Sequence, residues 1–378
     1  MRILYVFPEP LPLPRARGIQ VAHTVAALAQ QGVTVHLAYV PSGDGADPLA
    51  AYGIRRPEGV KLVSLSRGLP VPFASLPLHS NRLFFWRLRR WIDRRQNRPA
   101  FIMARHLKVA HALLEAFPDI PLLYEAHEVF ADVAPPPKRE RLAQIEETVL
   151  RRSKVVAAIT HGAAADLKKR YRLERDIHVL PDAVTWPETI PDKPWREAGR
   201  HIVYAGSFFP WKGVQDLVAA AAHLPGCRLM LIGGSPERIR EYRAQVATGG
   251  AEVVFAGHVS HTDARAALGR ACIAVLPNRA EPNSLWSSPL KLFEYMAAGC
   301  AVVAADLPSV REVLGPDEAI WVPPGNPVEL AAGIRRFIDD PQQARRLGER
   351  LREKARAHTW EARARHLVAL MRAAAHVS

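Results

Sequence analysis

The sequence has few cysteines and no long apolar run, and both absences limit what kind of protein it encodes. Its three cysteines, Cys227, Cys272 and Cys300, lack metal-ligand spacing and the density of a disulfide framework, so a reducing, cytoplasmic location is expected. No stretch reaches the roughly 18 apolar residues that a membrane-spanning helix needs. The short apolar run at 1–7 leads directly into prolines, which favours a buried first strand over a signal peptide.

Acidic residues are scarce relative to basic ones. The chain carries 51 Lys and Arg against 37 Asp and Glu, a formal net charge of +14. A basic protein favours nucleic acids, anionic lipids or phosphorylated ligands. Because no zinc-finger, RNA-recognition or helix-turn-helix signature stands out, we do not expect a nucleic-acid partner. Charge alone does not choose between the other two ligands, and a general arginine bias in composition would also explain it.

Buried strands alternate with helices along the chain. In the first half, strands are predicted at 3–7, 33–39, 61–65, 122–125 and 155–160, and a helix at 20–30. In the second half, strands are predicted at 201–205, 228–232, 252–255, 273–276 and 301–304, and helices at 214–222, 236–244, 262–269 and 289–298. Alternation of this kind is typical of a parallel sheet with helices on both faces. We therefore predict an α/β protein made of two doubly wound domains.

The segment 182–200 separates the two halves. It is rich in Pro, Trp and charged residues and has no periodic pattern, which indicates an interdomain linker. The chain ends in two Arg- and Ala-rich helices, predicted at 341–358 and 360–375.

The helix predicted at 289–298 also has the features of an anion site. Ser288 suits the N-cap, Pro289 the first helical position, and Gly299 the end of the helix. A helix N-terminus offers free N–H groups and the positive end of the helix dipole to a phosphate. An ordinary capped amphipathic helix is the alternative interpretation.

The faces of this helix are distinct. Leu290, Phe293 and Ala297 fall on one face, whereas Lys291 and Glu294, three residues apart, share another. A carboxylate about 4.5 Å further along the axis is placed to accept hydrogen bonds from a ribose. The pattern therefore suits a nucleotide diphosphate lying along the start of the helix.

A second loop carries a glycine and a lysine between a predicted strand and a predicted helix. In the segment 204–214, Gly206 permits close backbone approach, and Lys212, followed by Gly213, supplies a compact cation for phosphate. A solvated loop lysine is the alternative for Lys212.

Together these segments resemble the GT-B glycosyltransferases, specifically the retaining enzymes of glycosyltransferase family 4. The resemblance covers essentially the whole chain and is most specific at 201–310. It implies two Rossmann-like domains that face each other across a cleft, with the last helix crossing back to the N-terminal domain. The predicted parts are an acceptor-side domain at 1–185, a linker at 186–200, a nucleotide-sugar-binding domain at 201–358 and the crossing helix at 359–378.

The resemblance also assigns roles in the donor site. It implies that Glu294 binds the ribose and that backbone groups near Val259, in the loop 256–260, hold the nucleobase. The implied diphosphate-binding residues are Gly18, Gly206, Ser207, Lys212, Ser288, Leu290 and Lys291. Ser207 stands where related enzymes often have an Arg, and Lys291 is expected to compensate.

Position 286 departs from the family pattern. The family usually places a second Glu, which contacts the donor sugar, eight residues before the ribose-binding Glu. Here that position is Trp286, and Glu281 lies five residues too early. The sequence therefore supports nucleotide binding and leaves open whether Trp286 alters or abolishes transfer.

On the acceptor side, the segment 122–130 reads as a strand running into a loop. It resembles the family segment whose His faces the donor sugar, which makes His127 the candidate for the reaction centre. Glu125 and Glu128 lie close to His127 in sequence, so we expect its pKa to be raised and its ring to donate a proton. A structural histidine is the alternative, and His161, at the end of another predicted strand, is a lesser candidate.

Retaining transfer does not require an obvious enzymic nucleophile. In a widely held account, the acceptor attacks on the side from which the leaving group departs, and the protein supplies positioning and positive charge. The sequence contains no Asp-x-Asp motif. We therefore expect no essential metal and no cofactor, with the nucleotide diphosphate sugar acting as co-substrate.

The segment 82–95 is basic and aromatic at helical spacing. Two neighbouring faces carry its apolar and cationic side chains: Leu83, Trp86 and Arg90, and Leu88, Trp91 and Arg95. Such a helix can lie in a membrane interface and bind anionic lipid. A helix packed on its own sheet, with solvated arginines, is the alternative.

The predicted function is retaining transfer of a sugar from a nucleotide diphosphate sugar to a hydroxyl of a glycan or lipid-linked acceptor, in cell-surface polysaccharide or glycolipid synthesis. The expected location is the cytoplasm or the inner face of the membrane. Two alternatives stay open. One is a GT-B sugar-nucleotide epimerase or hydrolase, and the other is a non-catalytic nucleotide-sugar-binding module. The sequence does not distinguish the base, the sugar or the acceptor.

Overall fold

The computed structural model describes residues 1–13, 15–42, 45–68, 81–195, 200–281, 284 and 288–376. Its contacts divide the chain into two compact units. The first unit contains Met1–Pro181 and Trp360–Ser378, and the second contains Asp182–Thr359. The chain therefore passes between the units twice, at the peptide groups Pro181–Asp182 and Thr359–Trp360.

A parallel sheet of seven strands forms the centre of the first unit. The strands are β1 (Arg2–Leu11), β2 (Thr34–Pro41), β3 (Val60–Ser64), β4 (Phe101–Ala104), β5 (Leu122–Ala126), β6 (Val155–Ala158) and β7 (His178–Val179). Their order in the sheet is β3-β2-β1-β4-β5-β6-β7, and every neighbouring pair is parallel.

Helices connect these strands. They are α1 (Ala16–Gln30), α2 (Asn81–Ile92), α3 (Leu107–Ala116), α4 (Phe130–Val133), α5 (Pro136–Arg152) and α6 (His161–Tyr171). The first helix buries Val21, Val25 and Leu28, the spacing that the sequence predicted.

The second unit is built around a parallel sheet of six strands. The strands are β8 (His201–Ala205), β9 (Arg228–Ile232), β10 (Glu252–Gly257), β11 (Ile273–Leu276), β12 (Ala301–Ala305) and β13 (Ile320–Val322). Their order is β10-β9-β8-β11-β12-β13, again with parallel neighbours.

Seven helices lie between Val214 and Ala355 in the described part of the chain. They are α7 (Val214–Ala220), α8 (Pro236–Arg243), α9 (His261–Arg270), α10 (Leu290–Ala297), α11 (Pro308–Arg311), α12 (Pro327–Asp339) and α13 (Pro341–Ala355). The last helix, α14 (Trp360–His376), belongs to the first unit.

The predicted α/β class with two doubly wound sheets is confirmed. Three strands were not predicted: β4, β7 and β13, which contain four, two and three residues. Runs this short carry little periodic signal, so pairing in the sheet defines these three strands, although β6 and β11, with four residues each, were predicted.

The strands read as continuous apolar runs because both faces of each sheet are covered. In β1, the side chains of Ile3, Leu4, Tyr5 and Val6 are all fully buried. In β8, Ile202 and Tyr204 join one buried cluster while Val203 and Ala205 join another, as expected when alternate side chains point to opposite faces.

The strand order reverses direction at one place in each sheet. In the first unit this place lies between β1 and β4, and in the second it lies between β8 and β11. Ligands of doubly wound proteins bind outside the carboxyl ends of the strands at such a switch point. The loops after β1 and β8 are therefore the places where the fold favours a site.

The described part of the predicted linker packs against the second unit. Val184 pairs with Thr359 in a parallel bridge, and the Trp186 ring lies beneath the guanidinium groups of Arg352 and Arg356, 5.1 and 4.6 Å from its centroid. Residues 196–199 lie outside the described residues. Among the helices that the structure describes, none is long and apolar enough to cross a membrane.

Candidate functional site

The helix α10 starts one residue later than predicted, and Ser288 does not cap it. The N-cap position is Pro289, which has no side-chain group to bond the first turn. The Ser288 hydroxyl instead accepts a hydrogen bond from the Asp182 backbone N–H at 3.0 Å. The Leu290 N–H donates to the Ser288 carbonyl at 2.9 Å. The predicted cap was wrong because Ser288 precedes the N-cap position and its hydroxyl is engaged by Asp182.

The remainder of α10 follows the prediction. Leu290, Phe293 and Ala297 are all buried. Gly299 adopts a left-handed φ of +68° just after the last turn, and its N–H donates to the Met296 carbonyl at 2.8 Å. A glycine is favoured there because other residues pay a steric cost at positive φ.

Lys291 and Glu294 form an ion pair between adjacent turns of α10. The Lys291 Nζ lies 2.8 Å from Glu294 Oε2, and His261 Nε2 lies 3.8 Å from Oε1. Burial raises the pKa of Glu294, but Lys291 and His261 outweigh burial and lower it to about 2. Glu294 is therefore an ionised, largely buried hydrogen-bond acceptor at neutral pH. His261, which begins α9, was not predicted from the sequence.

Lys212 is the second cation near this helix. It ends a short 3₁₀ turn, Pro210–Lys212, and its Nζ lies over the Trp211 ring, 4.0 Å from the centroid. Burial and the charge of Lys291 lower the pKa of Lys212 to about 8. Two lysines whose charges repel each other in this way form a site that an anion would stabilise.

A partly buried ion pair holds the loop that carries Lys212. Asp216, in the first turn of α7, accepts hydrogen bonds from Arg279 Nε at 2.7 Å and Arg279 Nη2 at 2.6 Å. The backbone N–H of Arg279 also donates to the Trp211 carbonyl at 2.9 Å. Neither residue was identified from the sequence, because they lie 63 positions apart and no local motif joins them.

Gly206 lies where the backbone is tightly packed after β8. A Cβ at Gly206 would lie 2.7 Å from the Tyr204 hydroxyl, and a Cβ at Gly233 would lie 2.1 Å from the Gly206 carbonyl oxygen. The Ser207 carbonyl accepts a hydrogen bond from the Tyr204 hydroxyl at 2.8 Å. Small residues are therefore required on both loops. Gly233 was also missed, although a Gly-Gly pair after a predicted strand is a turn signal.

Val259 lies on the loop between β10 and α9. Its side chain is 37 % exposed, and Ser260 caps α9 by accepting from the Asp263 N–H at 3.1 Å. The backbone of the loop contacts the neighbouring strand end, since the Gly233 N–H donates to the Gly257 carbonyl at 2.7 Å. The nucleobase role of Val259 stays a prediction.

In the first unit, Gly18 lies in the first turn of α1 rather than before it. A Cβ there would lie 2.4 Å from both the Leu13 carbonyl oxygen and the Tyr52 hydroxyl. That hydroxyl accepts from the Leu13 N–H at 2.6 Å and donates to the Leu13 carbonyl at 2.9 Å. The glycine therefore allows Tyr52 to hold the loop after β1.

His127 lies just beyond the end of β5 and contacts Glu125 through Nε2. Burial and the charge of Arg105 lower the pKa of His127 to about 4, although Glu125 acts in the opposite direction. The prediction of a raised pKa was therefore wrong. Burial also raises the pKa of the neighbouring Glu128 carboxyl group. At neutral pH His127 is uncharged.

Glu125 is the centre of a buried polar cluster that the sequence analysis did not identify. Its carboxylate contacts Gln20 of α1, His127 and Arg363 of α14, and Arg105 in turn donates to Gln20 Oε1. Sequence gives little sign of this cluster, because Gln20 and Glu125 are 105 positions apart.

A second buried carboxylate shapes the loop that follows His127. Glu146 of α5 accepts from the Phe130 N–H at 2.9 Å, the Ala131 N–H at 3.3 Å and the Tyr171 hydroxyl at 2.7 Å. It therefore satisfies the free N–H groups at the start of α4. His161, the lesser candidate, is an exposed first residue of α6, directly after its capping residue Thr160.

The basic helix α2 spans Asn81–Ile92. It contains most of the basic and aromatic segment predicted at 82–95 and ends before Arg95. Phe84, Leu88 and Ile92 are buried, whereas Trp86 is 51 % exposed and carries Arg90 over its ring at 4.8 Å. Arg87 donates to two backbone carbonyls in 66–68. The helix thus packs by one face and exposes an aromatic and cationic surface on the other.

Two further points concern the predicted chemistry. Within the described ranges, no group of three or more His, Cys, Asp or Glu side chains is arranged to hold a metal ion. Trp286 and Ser287 lie outside the described residues. The structure thus brings Lys212, Lys291 and Glu294 together in the second unit, and in the first unit it places Gly18 in the first turn of α1 and His127 just beyond the end of β5.

Solved structures with this fold are known. The chain matches sucrose-phosphate synthase from Thermosynechococcus elongatus over 100 % of both chains, with a TM-score of 0.76 and 22 % identity. It also matches Anabaena HepE in complex with UDP and glucose over 99 % of this chain and 100 % of that one, with a TM-score of 0.71 and 17 % identity. The fold is that of the GT-B glycosyltransferases, as the sequence predicted.

The sequence comparisons define the family. Residues 18–185 match the model "Glycosyltransferase Family 4", and residues 199–340 match the model "Glycosyl transferases group 1". Glycogen synthase of Mycobacterium tuberculosis is 30 % identical over 184 residues, which is 46 % of this chain and 42 % of that protein. The chain thus matches less than half the length of this relative. It belongs to glycosyltransferase family 4.

Proposed function

We propose that the protein is a retaining glycosyltransferase that moves a sugar from a nucleotide diphosphate sugar to an acceptor hydroxyl. The observation that carries the proposal is the grouping of Lys212, Lys291 and Glu294 in the second unit. It places two cations and one ionised acceptor beside the start of α10. Family membership supports the same reaction class.

In this proposal the three side chains divide the donor between them. The ammonium groups of Lys212 and Lys291 bind the diphosphate, and the Glu294 carboxylate accepts hydrogen bonds from the ribose hydroxyls. Burial and the charge of Lys291 both lower the Lys212 pKa, and binding of a diphosphate would stabilise the charged form of both lysines. Gly206, Ser207, Ser288 and Leu290 contribute small side chains or backbone groups to the same site, and the backbone near Val259 binds the base.

The positive charge also serves the reaction. When the bond between the sugar and the diphosphate breaks, negative charge develops on the leaving phosphate oxygen. Lysines that are already in place stabilise this charge without having to move during the reaction. Preorganised charge of this kind is usually the largest contribution of an active site to lowering the activation free energy. The leaving phosphate then assists removal of the proton from the attacking hydroxyl, on the same side of the sugar, which gives retention.

His127 has a different role from the one that its sequence neighbours suggest. With a pKa of about 4 it is neutral at pH 7. Because its Nε2 contacts the ionised Glu125, the proton resides on Nε2 and the Nδ1 lone pair is available. We infer that Nδ1 accepts a hydrogen bond from a sugar hydroxyl and so orients the donor. Gly18, in the first turn of α1, is assigned to the diphosphate.

The proposed acceptor is a glycan or a lipid-linked sugar at the cytoplasmic face of the membrane. The exposed surface of α2, with Trp86, Arg82, Arg89 and Arg90, supports this assignment, because it combines an interfacial aromatic with cations. Cell-surface polysaccharide or glycolipid synthesis is the corresponding process.

The function is tested by donor binding followed by turnover. The protein is screened against UDP-, GDP- and ADP-sugars by thermal shift, with UDP-glucose first because HepE was solved with UDP and glucose. Donors that bind are then incubated with glycan and lipid-linked acceptors, and the products are analysed by mass spectrometry and by NMR of the anomeric proton.

A glycoside with the anomeric configuration of the donor supports the proposal. Release of free sugar or its epimer without any acceptor product would favour the epimerase or hydrolase alternative. Donor binding without turnover of any kind would favour a non-catalytic module. Absence of binding by every nucleotide sugar would refute the proposed function.

A further inference from the structure

Glu125 is a carboxylate with no access to solvent, at the end of β5. Gln20 Nε2 and His127 Nε2 both contact its Oε1, and Arg363 Nη2 lies 2.9 Å from its Oε2. Arg363 and His127 outweigh burial and hold the pKa of Glu125 well below its usual range. A buried ion pair contributes little net stability, so the positioning of its neighbours is the better explanation for its presence.

Arg363 is equally enclosed, although it comes from the last helix of the chain. Its side chain is 4 % exposed. The Nε group donates to the Pro181 carbonyl at 2.9 Å, and Nη1 donates to the Thr24 hydroxyl at 3.4 Å, while Nη2 faces Glu125. The planar guanidinium is thus held from three directions, an arrangement that Lys cannot reproduce.

We propose that Glu125 and Arg363 are positioning residues for His127. Glu125 holds the imidazole through its Nε2–H, and Arg363 fixes the orientation and the charge of Glu125. The inference rests on the proposed transfer function, in which His127 Nδ1 orients the donor sugar. Neither Glu125 nor Arg363 needs to touch a substrate for this role.

The surrounding charges explain how the ring stays in one protonation state. Burial is the largest effect that opposes protonation of His127. Arg105, beyond the end of β4, and Arg363, on α14, act in the same direction, and Glu125 favours protonation. Gln20 is fixed between Arg105 and Glu125, accepting from the first and donating to the second. The ring therefore keeps its proton on Nε2 and presents Nδ1 as an acceptor.

The first test is spectroscopic and does not depend on turnover. Long-range ¹H–¹⁵N spectra of the full-length protein report the tautomer and the pKa of His127, which is assigned from a His127→Gln variant. In the unaltered protein we expect the Nε2–H tautomer and no protonation down to about pH 5, given a pKa of about 4. In Arg363→Met, loss of one of the opposing positive charges raises the His127 pKa.

Three further variants complete this test. Glu125→Gln redistributes the tautomer, because an amide can donate to Nε2 as well as accept from it. Arg363→Lys keeps the charge and shifts the His127 pKa less than Arg363→Met does. Arg365→Met, an exposed position on the same helix, leaves the signal unchanged. Arg363→Met leaves the buried Glu125 carboxylate without its partner. If that variant does not fold, the double variant Glu125→Gln/Arg363→Met removes both charges, and its spectra report the His127 tautomer in the same way.

The second test uses kinetics. In Arg363→Met we expect kcat to fall by roughly tenfold or more, with an unchanged donor KM, because the proposed diphosphate and ribose contacts of Lys212, Lys291 and Glu294 lie in the second unit. Arg363→Lys restores part of the rate. A purely structural role would instead lower activity in proportion to the folded fraction, which circular dichroism measures.

The outcomes separate the two proposals. If the His127 tautomer and pKa are the same in the unaltered protein, Arg363→Met and Glu125→Gln, the positioning role is wrong, whatever the activity. If the NMR changes occur but the unaltered protein transfers no sugar, the positioning contacts stand and the proposed function fails.

Discussion

The Lys291 ammonium lies 2.8 Å from the Glu294 carboxylate, one turn apart on the same helix. Glu294 is 6 % exposed and is also approached by His261, so its charge is fixed by two basic groups rather than one. The pair keeps a hydrogen-bond acceptor, Glu294, next to a cation, Lys291. A ligand that binds both side chains must therefore carry a hydroxyl group close to an anionic group. A ribose with an attached phosphate meets that requirement.

Replacing this carboxylate should weaken nucleotide binding. In Glu294→Ala, the ribose loses hydrogen bonds to a charged acceptor, which are worth about 1.5–3 kcal/mol, so the dissociation constant of UDP or another bound nucleotide should rise roughly ten- to hundredfold. Isothermal titration calorimetry measures the effect. Glu349→Ala, an exposed carboxylate on α13, is the matched control. Equal affinity in Glu294→Ala and the unaltered protein would remove Glu294 from the site.

Nucleotide binding should also depend on the charge of Lys212. Its pKa of about 8 means that the ammonium is mostly protonated at pH 7 and mostly neutral at pH 9. Because only the protonated form attracts a phosphate, affinity should fall about tenfold as the pH rises between these values. Binding should take up protons near pH 8, which calorimetry in buffers of different ionisation enthalpy detects. Lys212→Arg should keep its charge and show a flat profile. A fall of the same size in both proteins would assign the pH dependence to another group.

The backbone after Lys212 should tolerate no side chain. Gly213 has a φ of +68°, and a Cβ there would lie 1.8 Å from the Pro277 carbonyl oxygen. Gly213→Ala should therefore lower the free energy of unfolding by about 3 kcal/mol or more. Gly249 has a φ of +80° with no atom within 4 Å of such a Cβ, so Gly249→Ala should cost only about 1–2 kcal/mol. Chemical denaturation compares the two, and equal losses would show that the contact with Pro277 is relieved at little cost.

The exposed face of α2 should bind anionic lipid. Arg82, Arg89 and Arg90 are exposed, whereas Arg87 is engaged by backbone carbonyls and is left unchanged. At about 1 kcal/mol for each arginine, the charge reversal Arg82→Glu/Arg89→Glu/Arg90→Glu should weaken binding to phosphatidylserine vesicles at least hundredfold. Co-flotation with these vesicles measures binding.

The control for this test reverses the same number of charges elsewhere. Arg335→Glu/Arg336→Glu/Arg346→Glu changes exposed arginines of the second unit by an equal net charge. If both triple variants lose vesicle binding equally, net charge rather than α2 is responsible. If the unaltered protein does not float with the vesicles at all, the membrane proposal is wrong.

Sequence reasoning succeeded where the physical cause is local. The strands of four or more residues in the second unit were found because buried parallel strands are continuous apolar runs bounded by turn residues. The end of α10 at Gly299 was found because one left-handed residue is enough to stop a helix. Ser288 shows the limit of local reasoning, since its cap was lost to a hydrogen bond from Asp182, 106 positions away.

Sequence alone was enough to predict the two parallel sheets, the family, and the shared helix face of Lys291 and Glu294, because each depends on neighbours within one helix, strand or motif. Only the tertiary structure placed Arg363 against Glu125 and His261 near Glu294, and showed that His127 is neutral. Those features depend on burial and on charges from distant parts of the chain. Two carboxylates beside a histidine predicted a raised pKa, and burial of the ring, together with the arginines that the fold brings near it, lowers the pKa instead.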